Sequence, residues 1–515
     1  MTRFKAIFIL FGLLSFFSAS AQNANSEITY LNAIQAAQTS VNGTARFQSI
    51  GGATTALGAD MGTLSSNPAG LGVYRKSDMS ISMGLGNVST NGAYQGATPT
   101  TTSSGKTYAM IPNMGFVFTG QNKDSAASWR GGAFGISYNR VDDYQNKFSY
   151  NGVNGNSLTD NLVNKANGNS AYNGFNNNVN SPPDLTSLAA ATYLVFPQNP
   201  FDINNSTYRS LANEQDSNSV LHKETVNVQG RKQQWDIAYG GNIKDKFYLG
   251  LDVGISTVKS TISRNYSETI SNPTSYDPLT SFDMTEKLNI KGTGINAKLG
   301  AIYKLADWIR VGATLQTPTV YAMQATYNYN MNANYIPTLS GQGYPDSTEP
   351  GSTPQINFNY KVATPFKFTA GVALFASKGG FISSDLSFVP YNLVNMSSGT
   401  GGYDFSGDNS SIKQLCHTAI NYNLGGELRR NVLRLRAGFA YYGSPYKTSS
   451  NMATSSVNFT GGVGLRFTNN YIDLAVIDSR TSFQYSPYTL TTAQPIEANV
   501  KYSAIRVMLT TGILF

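Results

Sequence analysis

From residue 78 to its end the chain alternates apolar and polar residues with a period of two, the pattern of strands whose two faces meet different surroundings. Met79, Ile81, Met83 and Leu85 alternate with Ser80, Ser82, Gly84 and Gly86. Phe247, Leu249, Leu251, Val253 and Ile255 leave Tyr248, Gly250, Asp252 and Gly254 on the opposite face, as Leu433, Leu435, Ala437, Phe439 and Tyr441 leave Arg434, Arg436 and Gly438. The alternation predicts fourteen strands near 78–88, 107–119, 131–150, 223–242, 246–267, 283–304, 308–331, 354–376, 379–396, 411–428, 432–447, 455–467, 470–486 and 497–515. Short connections (120–130, 243–245, 305–307, 377–378, 429–431, 468–469) alternate with long ones rich in Asn, Ser, Thr and Gly (89–106, 151–222, 268–282, 332–353, 397–410, 448–454, 487–496). Short turns at one end, long loops at the other and an even strand count describe an antiparallel transmembrane β-barrel. A soluble sandwich has no reason for this rhythm. In the last strand Ile505, Val507, Leu509, Thr511, Ile513 and Phe515 share one face, resembling the assembly signal of outer-membrane barrels.

The start of the chain sets the address. Arg3 and Lys5 precede an apolar run over 6–17, and Ala19-Ser20-Ala21 is a small-x-small site. These features predict a signal peptide over 1–21, cleaved after Ala21, because the run is too short to span a bilayer as a helix. Charged residues make up only 13%, while Gly (49), Tyr (31) and Phe (27) are abundant, which fits a barrel with a lipid-facing band better than a globular enzyme. The single cysteine, Cys416, excludes an intrachain disulfide. The formal net charge of +8 comes from scattered Lys and Arg, so nucleic acid is not an expected partner.

A barrel this wide cannot fill its lumen with its own strand side chains, so a plug is expected. Residues 22–77 do not alternate: Ile28, Leu31 and Ile34 have helical spacing behind a possible Ser26 cap. Arg46, Gly51-Gly52-Ala53, Asp60 and Asn67-Pro68-Ala69-Gly70-Leu71 follow. This stretch resembles the hatch of the FadL/TodX family of outer-membrane transporters for hydrophobic compounds. Its wording through Gly72-Val73-Tyr74-Arg75 resembles the family's Bacteroidetes branch. Weaker echoes are Ile111-Pro112-Asn113-Met114-Gly115, Arg310-Val311-Gly312 and Thr364-Pro365-Phe366-Lys367. The resemblance implies an N-terminal hatch (22–77) inside a barrel (78–515) of the cell outer membrane. It also implies passive uptake of fatty-acid-like or aromatic molecules, with hatch rearrangement and lateral exit through the wall, commonly at a kinked third strand. A type IX secretion shuttle barrel, similar to the same family, or a surface adhesin with a protein partner is the alternative.

Several residues are candidates for these roles. Asn139-Arg140 and Asp142-Asp143 in strand three either rise above the membrane or line a kink, since charges facing lipid are costly. Parity turns Lys298, Arg310, Lys367, Arg434, Arg436, Arg466 and Arg506 inward, with Asp252, Asp385 and Glu427 as acidic counterparts. This basic set either holds a ligand carboxylate or anchors the hatch, with Asp60 as one partner and Arg46 tied to Asp252 or Asp385. The run Leu185, Leu188, Tyr193, Leu194 and Phe196 is either a landing surface for ligands or a satellite core under the long loop. Two histidines, His222 and His417, and one cysteine supply no catalytic or metal constellation, so no enzyme activity, cofactor or metal is expected. Expected partners are the bilayer with its lipopolysaccharide, a hydrophobic ligand and the barrel-assembly machinery, with the barrel itself a monomer.

Overall fold

A computed structural model describes residues 30–38, 40, 43–95, 99–122, 124, 126–168, 184–199, 207–212, 219–336, 347–398, 402–448, 454–488 and 498–515. The expected signal peptide and the Ser26 cap lie outside the described residues. The strands are β1 Asp78–Tyr94, β2 Thr100–Gln121, β3 Trp129–Asp143 continued by Asn146–Asn154, β4 Val220–Ile243 and β5 Phe247–Ile270. Next come β6 Leu279–Ala306, β7 Ile309–Gln316 continued by Val320–Tyr335, and β8 in three pieces, Thr348–Ser352, Ile356–Ala363 and Lys367–Phe375. Then follow β9 Gly380–Pro390 with Asn395–Ser397, β10 Thr418–Arg430, β11 Leu433–Tyr442, β12 Ser456–Arg466, β13 Asn470–Tyr485 and β14 Ala498–Leu514. Each pairs antiparallel with the next, and β1 closes on β14 from Asp78↔Leu514 to Tyr94↔Ala498. The result is the expected closed fourteen-strand barrel.

Turn chemistry explains the short end. Lys244 and Asp245 both have positive φ (54° and 56°), the two-residue mirror turn whose twist matches the flanking strands. Ser377 and Asn431 adopt the same left-handed region in their turns. Prolines mark the breaks in β7 and β8: Pro318, Pro354 and Pro365 cannot donate to a ladder.

The polarity of each face inverts partway along the strands. On β5 the outward residues Leu249, Leu251, Val253 and Ile255 are apolar, and beyond them outward Thr257, Lys259 and Thr261 are polar. Inward, Asp252 and Ser256 give way to Val258, Tyr266 and Ile270. Lipid outside explains the first half and water outside explains the second, where the lumen becomes the dry side. That outer half is filled: Tyr266, Phe282, Met284, Leu288 and Met331 pack against Leu158, Leu162, Leu188 and Leu194 from the segment after β3 and Ile34 from the N-terminus.

Three expectations need correction. The region 89–106 is mostly a continuing β1–β2 hairpin rather than a loop, because its outward Ser and Asn residues stand in water and need no lipid alternation. The strand near 411–428 begins only at Thr418, and Ser406–Leu415 is helical. There Phe405 and Ile412, two helical turns apart, supply the buried face, and Asp404 accepts from the Ser406 N–H at 2.9 Å. The external segment begins at 155, since Asn146–Asn154 still pairs with β4.

Candidate functional site

The described residues of the 30–77 segment run down the lumen as α1 (Tyr30–Ala37), α2 (Ala45–Ser49), α3 (Thr63–Ser66) and a 3-10 turn Pro68–Val73. Thr44 caps α2 by accepting from the Phe47 N–H, and Asn67 accepts from the Ala69 N–H at the head of the Pro68 turn. The wall meets this segment with glycine. Gly240, Gly250 and Gly300 stand in one register row across β4, β5 and β6, and Pro68-Ala69 lies against them. Gly51, at φ 63°, sits so close to β11 that a Cβ there would lie 2.6 Å from the Phe439 carbonyl oxygen. A Cβ on Gly240 would lie 2.7 Å from both Leu71 Cβ and the Pro68 carbonyl oxygen. Gly240→Val suits a strand but not this contact, so it should weaken seating of the segment by about 1–3 kcal/mol. The expected readout is increased small-solute leak from proteoliposomes with unchanged heat-modifiable migration of the barrel.

Polar fastenings add to this packing. Asp385 of β9 accepts from the N–H groups of Thr54 (2.8 Å) and Thr55 (2.9 Å) and from the Thr55 hydroxyl (2.7 Å). Asn423 donates to the Gly51 carbonyl at 2.6 Å, Thr510 accepts from the Ala45 N–H at 2.7 Å, and Arg310 donates to the Leu57 carbonyl at 3.2 Å. Asn67 Nδ2 donates to the Thr55 carbonyl (2.7 Å) and to the Ala301 carbonyl of β6 (3.2 Å).

The expected partnership of Arg46 is corrected. Arg46 lies 3.4 Å from Asp60 and 3.6 Å from Glu427, not beside Asp252 or Asp385. Asp60 is bound within its own segment, by the Thr44 hydroxyl and the Gly62 N–H, each at 2.8 Å, and not by a barrel cation. The reason is geometric: the Gly58-Ala59 turn folds Asp60 back on α2, and its carboxylate is consumed there. Three of the inward cations are paired on the wall, whereas Arg310 fastens the segment as expected of an anchor. Arg436 binds Glu427 and Asp473, both at 2.6 Å, Arg466 binds Asp473 at 2.8 Å, and Lys298 binds Asp236 (2.8 Å) and Asp252 (2.7 Å). Arg434 lies at the turn and donates to the Asn431 and Leu433 carbonyls. Lys367 lines a small lumen cavity of about 130 Å³ that also reaches Asp385 and Thr55.

The wall itself is interrupted at β3. Its ladder with β2 ends at Asn113↔Asn139, a register shift follows between Arg140 and Asp142, and the strand breaks at Tyr144–Gln145. Both readings of the charged stretch hold: the outward apolar residues of β4 and β5 end at Trp235 and Ile255, level with Tyr138, and the strand kinks just beyond. Arg140 and Asp143 pair with each other there, buried. Beyond the kink Asn146–Asn154 pairs only with β4 and leans over the inner face of β1 and β2, where Thr90 donates to the Lys147 carbonyl at 2.6 Å. Among the described residues, strand β2 over 100–112 therefore has a ladder partner on one side only. Its outward Ile111 is exposed beside this gap, so the ladder stops while the wall is still in its apolar band. The last rung is reinforced by a chain of side chains: Asn113 to Asn139 (2.7 Å), Asn139 to Asp236 (2.8 Å), and Asp236 to Lys298.

A lumen cavity of about 510 Å³ reaches the kink. It is bounded by Leu31 and Ser40 of the N-terminal segment, Asp142–Asn146 of the kink and the inner faces of β10 to β14. Ser40 donates to Asp142 at 2.9 Å and Lys232 to the Ala36 carbonyl at 2.8 Å, so the segment touches the kink directly. The run from Leu185 faces the other way: Leu188, Leu194 and Phe196 are buried in the outer barrel core, with Leu185 and Tyr193 packed against it.

No family model matches the chain, and no curated protein does. Among solved structures, a Pseudomonas aeruginosa FadL homologue superposes with a TM-score of 0.54 at 12% identity, covering 92% of this chain and 99% of that one. The fold is that of the FadL barrels. The Pseudomonas putida toluene transporter TodX (13% identity, TM-score 0.49) and the Ralstonia pickettii toluene transporter TbuX (16%, 0.47) each match over 92% of this chain and 98% of their own. An apolar band closed on itself places this FadL-type barrel in an outer membrane, with its short turns gathered at one end. Trp129, Trp308, Phe467 and Phe515 stand exposed at that end, the position of an interfacial aromatic girdle. Sequence reasoning named Asp385 as a tie for the hatch but gave it Arg46 in place of Thr54 and Thr55, and it missed the glycine row and the Asn113–Asn139 rung. The row did carry a signal, because inward parity puts glycine where a sheet usually offers a side chain.

Proposed function

We propose that this barrel is a passive channel for hydrophobic small molecules, closed along its axis by the N-terminal hatch and open sideways at the β3 kink. A ligand enters from the loop end, occupies the lumen cavity beside the hatch and leaves between β2 and β3 into the bilayer. The observation that carries this reading is the coincidence of three features: a cavity that reaches the kink, a ladder that ends inside the apolar band, and hatch residues bonded to that kink. Exit into lipid suits such a cargo, since the bilayer interior receives apolar surface at no desolvation cost. The hatch motif residues Arg46, Gly51, Gly52, Asp60, Asn67, Pro68 and Ala69 serve closure, and none of them performs chemistry.

A single cysteine tests the exit. In Ile111→Cys, modification with a bulky maleimide should slow uptake of a hydrophobic probe into proteoliposomes at least about tenfold, equivalent to about 1.4 kcal/mol. The same adduct at Leu299→Cys, equally lipid-facing on β6, should leave uptake unchanged; the native Cys416 is buried. Equal effects at the two positions would remove the exit from this gap.

A further inference from the structure

The lining of the 510 Å³ cavity is unlike a hydrocarbon slot. Six tyrosines contribute to it, Tyr108, Tyr144, Tyr391, Tyr442, Tyr446 and Tyr502, while most of the remainder is Asn, Gln, Ser and Thr. Tyrosine offers a flat apolar ring together with a polar edge, so such a surface favours a ring that also forms hydrogen bonds. Three acceptor oxygens of lining residues, Asn146 Oδ1, Asn458 Oδ1 and Gln484 Oε1, are buried and have no hydrogen-bond partner among the described residues. A ligand without donors would leave them unsatisfied, and polar sites of this kind reject the analogue that lacks the matching group.

Charge narrows the class further. Asp142 and Asp143 line the cavity beside Arg506, but Asp143 is paired with Arg140 and Arg506 donates to Ser479 at 3.2 Å, so a ligand carboxylate would have to displace bonds these cations already make. Elsewhere in the lumen the cations Lys298, Arg436 and Arg466 already hold Asp236, Asp252, Glu427 and Asp473. The volume suits a compound of a few fused or linked rings.

The geometry points to an uncharged, hydroxyl-bearing aromatic compound as the ligand of this cavity, in preference to a plain hydrocarbon or a fatty acid. This rests on the transport reading above and sharpens its substrate class. The ring stacks among the tyrosines while its hydroxyls donate to Asn146, Asn458 and Gln484.

The test uses the full chain in nanodiscs, with empty discs subtracted, and compares 2-naphthol, naphthalene and laurate by equilibrium dialysis. 2-Naphthol should bind at least about tenfold more tightly than naphthalene, the equivalent of one net hydrogen bond, and laurate more weakly than either. Asn146→Ala with Asn458→Ala and Gln484→Ala should bring 2-naphthol to the affinity of naphthalene while both still bind above the empty disc, an outcome that general misfolding would not produce. Naphthalene or laurate binding as tightly as 2-naphthol, or no binding above the empty disc, would overturn the assignment. Uptake of naphthalene or laurate into proteoliposomes with such a result would leave the transport reading intact. Selective 2-naphthol binding with no probe crossing would uphold the site and overturn transport.

Discussion

Asp385→Ala should open the barrel to ions while leaving its wall folded. The carboxylate is buried and takes three hydrogen bonds from Thr54 and Thr55, two of them from backbone N–H groups that have no freedom to turn elsewhere. Hydrogen bonds to an ionised acceptor contribute about 1.5–3 kcal/mol each, and water entering the vacated site recovers part of that. A loss of about 3–5 kcal/mol in hatch docking is therefore expected. The neighbouring contacts of Gly51 with Asn423 and of Asn67 with β6 would hold the hatch only in part. Thr55→Ala removes one of the three bonds and should have about a third of the effect. Planar-bilayer conductance reads the difference: frequent openings for Asp385→Ala, rare ones for Thr55→Ala. The folded band on unheated gels should persist in both. A quiet Asp385→Ala channel would show that packing against the glycine row closes the lumen unaided.

The second large effect is expected at Lys298. Its ammonium lies between Asp236 and Asp252, both fully buried, and Lys298→Met would leave two carboxylates facing each other without a cation. Breaking a buried pair from one side destabilises by about 3–5 kcal/mol, because the charge left behind is neither paired nor hydrated. Asp236 also accepts from Asn139, so the same change should loosen the last rung between β2 and β3. Two readouts follow: the temperature at which the folded band disappears should fall, and hydrogen exchange should rise at 113–115 and 137–139. Replacing all three together, Lys298→Met with Asp236→Leu and Asp252→Leu, should recover much of the thermal stability but not the exchange protection. Recovery of both would mean that the rung does not depend on the charged cluster.

Much of this architecture was readable from two periodicities. Alternation such as that of Leu249 to Ile255 reports a strand between lipid and lumen, and the rhythm of loop lengths reports the strand count. The reading failed where the surroundings changed along one strand. Past Ile255 the outward residues enter water and the inward ones become core, so strand tips such as 89–94 look like loop, and Leu188 and Leu194 fit a landing surface as well as the satellite core they form. The hatch motif was legible as a motif, but its partners were not. Arg46 could have met any inward carboxylate, and only the fold brings Glu427 to it and leaves Asp385 to backbone N–H groups. The kink lies between these cases. Asn139 to Asp143 announced that the lipid alternation ends, and both outcomes it allowed are found: the stretch rises past the apolar residues of β4 and it kinks, a break that belongs to β2 and β4 as much as to β3.

The central claim is that the lumen is shut along its axis and open through its side. It is tested most directly by measuring ion conductance and hydrophobic-probe uptake on the same proteoliposome preparation. Brisk transfer of the probe into the bilayer is expected, with conductance no higher than that of protein-free membranes. Uptake that appears only together with ion conductance, in wild type and in hatch variants alike, would mean an axial pore and contradict it.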